Sequence, residues 1–144
     1  MRRSHLVAAA ATAVLFLVLA ARRAQAQEWN PPSRQMPDMP ESGELAGGWR
    51  GSAGAWLAGT GTALDQLRAA GEGARGGRAR LVRFMGGTRP VAVWTDRNGD
   101  GKADMIEVYR GGALAFQLID ADYDGAANVL RVYNGGSLVR EERL

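Results

Sequence analysis

Three segments of this chain can be set in one register: ARLVRFMGG from Ala79, DMIEVYRGG from Asp104 and NVLRVYNGG from Asn128. Phe84, Tyr109 and Tyr133 align, as do Leu81, Ile106 and Leu130, and the pairs Gly86-Gly87, Gly111-Gly112 and Gly135-Gly136. The spacing is 25 and then 24 residues. Each segment is short, rich in β-branched or aromatic residues, and stopped by a glycine pair that favours a hairpin turn. After each pair comes another strand-like run: 89–95, 113–119 and 137–143. A repeat this short is one supersecondary unit, which buries its apolar face only by stacking on its neighbours. The pattern predicts a mainly β domain over 71–144, a six-strand antiparallel repeat meander of about 24 residues per repeat.

Tight turns alternate with longer acidic loops. DRNGDGKAD runs from Asp96 to Asp104, and DADYDGAAN from Asp120 to Asn128. Oxygen side chains stand at positions one, three, five and nine: Asp96, Asn98, Asp100 and Asp104, then Asp120, Asp122, Asp124 and Asn128. Gly101 and Gly125 hold position six, where the chain must turn sharply. The backbone carbonyl of position seven, Lys102 or Ala126, would complete the set. Calcium takes six to eight oxygen ligands, and three carboxylates crowded together repel one another unless a cation lies between them. These ten residues are the expected calcium ligands. An Asp- and Gly-rich solvated turn is the bland alternative. Two such loops in register favour the ion. The segment GEGARGGRA, Gly71 to Ala79, keeps the glycine and lacks the acidic positions, so no metal is expected there.

The first loop also satisfies the EF-hand expression, with Glu107 at position twelve. The flanking sequence argues against helices. RPVAVWT reads as a strand, and only twelve residues, Val108 to Ile119, separate that loop from the next Asp. Two stable helices do not fit there. Arg131 at position twelve of the second loop cannot be a bidentate ligand.

The DxNxDGxxD loop between two strands resembles the calcium loops of FG-GAP and VCBS repeats. Tyr133, Gly135, Gly136, Leu138, Val139, Arg140, Glu141 and Glu142 form a unit ending similar to that of bacterial exported proteins built from tandem acidic-loop hairpins. The resemblance covers Ala79 to Leu144. It implies calcium and a structural, adhesive or surface role rather than catalysis.

The rest of the chain reads as delivery and support. MRRSH, an apolar run from Leu6 to Ala21 and Ala24-Gln25-Ala26 make a signal peptide, 1–26, cleaved after Ala26. An uncleaved anchor, favoured by Arg22 and Arg23, is the alternative and the one route to a membrane. Export implies a periplasmic or secreted protein. Residues 27–51 hold four of the chain's five prolines and read as a Pro/Gly-rich disordered linker. Trp56, Leu57, Leu64 and Leu67 recur at helical spacing, which predicts a helix over 52–70.

Composition removes several functions. Four of the 18 basic residues and the one His fall in the signal segment, so the remaining 14 basic residues face 15 acidic ones. A mature chain near neutrality disfavours a nucleic-acid partner. With no Cys, thiolate zinc sites and Cys–His dyads are excluded, and without His so are Ser–His triads. No nucleophile–base pair can be named, so an enzyme is not expected. The expected function is an exported calcium-binding structural or interaction module of the cell envelope, with an envelope protein or glycan as partner. The alternative is an envelope-associated binder of polyanion or glycan. It would use the Arg75–Arg89 run, or Phe84, Tyr109 and Tyr133 as a sugar-stacking stripe. Those three aromatics read more simply as core residues on one face of the sheet, and the arginines as charges guarding an edge strand.

Overall fold

The computed structural model describes residues 29–47, 52–73 and 77–144. The expected signal peptide, its cleavage site and Arg75 lie outside the described residues. The chain divides into Met1–Asn30 and Pro31–Leu144. All elements below belong to the second unit.

Seven antiparallel strands form one sheet in sequential order: β1 Leu67–Glu72, β2 Leu81–Gly86, β3 Arg89–Thr95, β4 Met105–Arg110, β5 Ala113–Ile119, β6 Val129–Asn134 and β7 Ser137–Arg143. The expected count was six. The extra strand is β1, which pairs with β2 from Leu67↔Gly86 to Glu72↔Leu81.

β1 takes the last four residues, 67–70, of the expected 52–70 helix. Helix α1 spans Ser42–Gly47 and α2 only Ser52–Leu57. The chain then passes through 3-10 turns at Ala58–Thr60 and Leu64–Gln66 before Leu67 enters the sheet. Gly61 ends the first turn in the left-handed conformation, which glycine reaches without the steric cost of a side chain. Pairing with β2 outweighs the helical preference of Leu67, Ala69 and Ala70, because the ladder satisfies backbone groups that a frayed helix end would leave open.

Two-residue turns at 87–88, 111–112 and 135–136 close β2–β3, β4–β5 and β6–β7 at one end of the sheet. The glycine-pair alignment is corrected by one residue in the first hairpin. Its turn is Gly87-Thr88, not Gly86-Gly87. Register shifts fall at Phe84/Met85, Val108/Tyr109 and Val132/Tyr133. Phe84 thus matches Val108 and Val132 in its hairpin, and Met85 matches Tyr109 and Tyr133.

Alternation along the strands gives the sheet two faces. One carries Val82, Phe84, Ala92, Trp94, Ile106, Val108, Phe116 and Leu118, all buried. Trp56 of α2 meets Trp94 edge-on at 6.4 Å, and Phe84 meets it at 5.1 Å. The other face is half-buried and cross-linked by side chains. Gln117 Nε2 donates to Glu107 at 2.9 Å, and the Tyr133 hydroxyl to Gln117 at 2.6 Å. The stripe of Phe84, Tyr109 and Tyr133 therefore does not exist: Phe84 lies on the covered face and the tyrosines on the other.

Residues 31–41, expected within the disordered linker, form a strap across the loop end of the sheet. Gln35, Asp38 and Glu41 make single antiparallel bridges to Ala126, Lys102 and Arg78. Met36 and Met39 are buried. The strap advances three residues for each step between loops. Three residues at polyproline II rise cover about 9.3 Å, and two strand spacings about 9.6 Å. The match lets every third residue of Gln35-Met36-Pro37-Asp38-Met39-Pro40-Glu41 meet the next loop. At its end Glu44 Oε2 accepts the Glu41 amide at 2.9 Å, half of a capping box that starts α1.

Candidate metal centre

Loop 96–104 joins β3 to β4, and loop 120–128 joins β5 to β6, at the end of the sheet opposite the turns. Three backbone bonds hold the loop ends in one stack. The Asp96 amide donates to the Arg80 carbonyl at 2.8 Å, Asp120 to Asp104 at 2.8 Å and Leu144 to Asn128 at 3.0 Å.

Both loops are wound on the carboxylate at position one. Asp96 is buried and accepts the amides of Gly99 at 2.6 Å and Gly101 at 3.0 Å. Asp120 is buried and accepts those of Tyr123 and Gly125, both at 2.8 Å. Reaching both amides requires left-handed turns at positions four and six. Gly101 and Gly125 supply φ of 87° and 89°. At position four Gly99 has φ 83°, but the second loop has Tyr123 at φ 61°. A left-handed backbone at a non-glycine residue costs roughly 1–2 kcal/mol, and the paired bonds to Asp120 hold it in place.

The remaining oxygens follow the same plan. Asp100 and Asp124 each accept the amide two residues on, both at 2.8 Å. At position nine, Asp104 accepts the amides of Arg97 at 2.5 Å and Asn98 at 3.1 Å. Asn128 accepts Ala121 at 3.0 Å.

One oxygen each of Asp96, Asp100 and Asp104 lies within 4.8 Å of the others, and the same holds for Asp120, Asp122 and Asp124. The chain thus brings three carboxylates together twice. No family model, curated protein or solved structure matches this chain.

Both clusters are all-oxygen sets, suited to a hard cation. Asn98 and Asn128 sit beside them. Asn98 Nδ2 donates to Asp100 at 3.1 Å and Asn128 Nδ2 to Asp122 at 3.0 Å. The position-seven residues turn their amides into the loop, while the strap bonds to their neighbours. Met39 and Met36 donate to the carbonyls of Gly101 and Gly125, and Ala103 and Ala127 donate to Pro37 and Arg34. The carbonyls of Lys102 and Ala126 are not part of that ladder. The Lys102 side chain reaches the other way, to Asp38 at 3.3 Å.

Electrostatics differ between the loops. Burial, with Asp122 and Asp124 adding to it, holds the Asp120 carboxyl above the usual carboxylate range, against the opposing pull of the Gly125 and Tyr123 amides. Loop one has a resident cation beside it. The Arg80 Nε donates to the Asp96 carbonyl at 2.9 Å and lies 4.0 Å from its carboxylate, and Nη2 bonds the Arg97 carbonyl. Arg80 immediately precedes β2 as Asp104 precedes β4 and Asn128 precedes β6. Arg80, expected among arginines that guard an edge strand, instead sits against the first loop. Its place directly before a strand, shared with two proposed ligands, was the available signal.

The run itself is dispersed. Arg78 and Arg80 serve the loop end, Arg83 pairs with Glu72, and Arg89 begins β3 at the turn end.

Proposed function

We propose that this chain is an exported calcium-binding module of the cell envelope, serving a structural or interaction role rather than a catalytic one. The observation that carries the calcium reading is the pair of three-carboxylate clusters, each folded by its own backbone amides around a buried aspartate. Asp96, Asn98, Asp100, Asp104 and the Lys102 carbonyl would hold one ion. Asp120, Asp122, Asp124, Asn128 and the Ala126 carbonyl would hold the other. The resemblance of the loops to those of FG-GAP and VCBS repeats supports this reading, as does the tandem 24-residue organisation. The basic, apolar and small-residue layout of 1–26 supports export.

The ion's part would be to neutralise carboxylates that the fold forces together. At ten to a hundred times its dissociation constant it would add about 1.4 to 2.7 kcal/mol per site. For a domain without disulfides that is a large share of net stability.

Thermal unfolding of residues 27–144 in millimolar calcium and in chelator tests the reading. The expected result is a melting temperature several degrees higher in calcium. Asp100→Ala or Asp124→Ala should each remove part of the rise, and the double variant all of it. Equal melts in both buffers, with no heat on titrating calcium, would reduce the loops to turns.

A further inference from the structure

Four methionines lie among the described residues, in two settings. Met36 and Met39 of the strap are buried, 3% and 1% exposed. Met85 of β2 and Met105 of β4 are partly exposed, both on the half-buried face of the sheet. Among these four, Met105 is the one whose sulfur faces hydrogen-bond donors. Arg97 Nη2 lies 3.1 Å from its Sδ, and Gln117 Nε2 lies 3.9 Å from it. Arg97 stands at position two of the first acidic loop and Gln117 on β5, so two separate elements aim N–H groups at one atom. Both donors are held in place. The Arg97 amide donates to the Asp104 carboxylate at 2.5 Å. The same Gln117 nitrogen donates to Glu107 at 2.9 Å, and its carboxamide oxygen accepts the Tyr133 hydroxyl at 2.6 Å.

A thioether sulfur is a weak acceptor, so a guanidinium and a carboxamide gain little from it. A sulfoxide is polar, and its oxygen would take both N–H groups. Oxidation of methionine ordinarily disrupts packing, because it sets a polar group among apolar ones. At Met105 the surroundings match the oxidised side chain better than the reduced one. We propose that Met105 is an oxidation site for hydroperoxides, its sulfoxide held by Arg97 and Gln117. A sulfur lone pair forms the S–O bond as the O–O bond of the peroxide breaks. The thioether is oxidised by two electrons and the peroxide is reduced. With hydrogen peroxide, the leaving hydroxide takes the proton of the transferred hydroxyl and departs as water. Negative charge grows on both oxygens during the step, and donors already fixed beside the sulfur stabilise it. Met85 lacks those donors among the described residues, and the strap methionines are shielded from solvent. The proposal is independent of the calcium reading.

Treating the folded full chain with hydrogen peroxide in chelator, and following each methionine by peptide mass spectrometry over time, tests this. Met105 should gain its oxygen several-fold faster than Met85, with Met36 and Met39 still reduced. Arg97→Ala should slow Met105 to the rate of Met85. Greater access alone would move that rate the other way, because Arg97 is exposed and its removal uncovers the sulfur. The melting temperature after treatment is read against Met105→Leu treated identically, which accounts for oxygen added elsewhere. Wild type should hold or raise its melting temperature on that scale, and Arg97→Ala should lose some. Oxidation of Met36, Met39 or Met85 as fast as Met105 would overturn the proposal. So would an unchanged or faster rate at Met105 in Arg97→Ala, or a fall in the wild-type melting temperature that Met105→Leu does not share.

Discussion

At the scale of single residues, the two loops share a backbone plan and differ in charge. Loop one has Arg80 against Asp96. In loop two the backbone neighbour of Asp120 is Asp104, itself an acid. A fixed cation beside a cation site lowers affinity for the ion. Loop two should therefore be the tighter calcium site. Arg80→Ala should strengthen loop one several-fold and leave loop two unchanged, as read by calorimetric titration in an Asp124→Ala background and in an Asp100→Ala background. Asp120 gives a second prediction. Its folded carboxyl is raised above its unfolded value, so its contribution to stability is full at low pH and is lost as pH rises through the folded value. In chelator, wild type should lose stability relative to Asp120→Asn as pH climbs from about 4 towards neutrality. Saturating calcium should reverse that trend, because the bound ion favours the carboxylate. Denaturant melts of both proteins at a series of pH values read the difference directly.

At the scale of elements, the strap explains how such exposed loops keep their shape. Its backbone bonds fall on positions six and eight of each loop, beside the amides that wrap the carboxylates. Met39, only 1% exposed, anchors it. Met39→Ala should cost about 2–5 kcal/mol, and the loss should be similar with and without calcium if the strap supports the loops rather than the ion. Chemical denaturation in both buffers measures it. The strap also marks where sequence reasoning stops. Asp96, Gly101, Asp104 and their counterparts were legible because loop chemistry is local: side-chain oxygens and a left-handed glycine at fixed offsets. The strap was not, because a proline-rich stretch has the same composition whether solvated or docked. β1 was missed for a related reason. Leu64 and Leu67 fit helical spacing, and the pairing that makes Leu67–Glu72 a strand comes from β2. Phe84 was misplaced by one residue because Gly86-Gly87 looks like the other glycine pairs, although Gly87 and Thr88 make the turn. That slip moves a side chain to the other face of a sheet, and the supposed aromatic stripe disappears with it.

At the scale of the whole unit, residues 31–144, each strand pairs only with its neighbours in sequence, and the strap is what runs across successive hairpins. The sheet is a single ladder from β1 to β7, the loop ends are stacked by backbone bonds, and the strap bridges three successive loops. Repeat arrays are often only nearest-neighbour coupled, and long ones can lose cooperativity. Here the strap adds a contact that spans the repeat direction, and Trp56 on Trp94 ties the flanking helix to the sheet. An ion in one loop should then stabilise all of it. Differential scanning calorimetry should show one transition, with calorimetric and van't Hoff enthalpies equal, in chelator and in calcium alike. Asp124→Ala should lower the melting temperature in calcium without splitting the peak. A variant with the strap loosened by Met36→Ala and Met39→Ala together is the contrasting case. If the strap is what couples the hairpins, that variant should broaden in chelator, with the van't Hoff enthalpy falling below the calorimetric value, and calcium should sharpen only part of the transition.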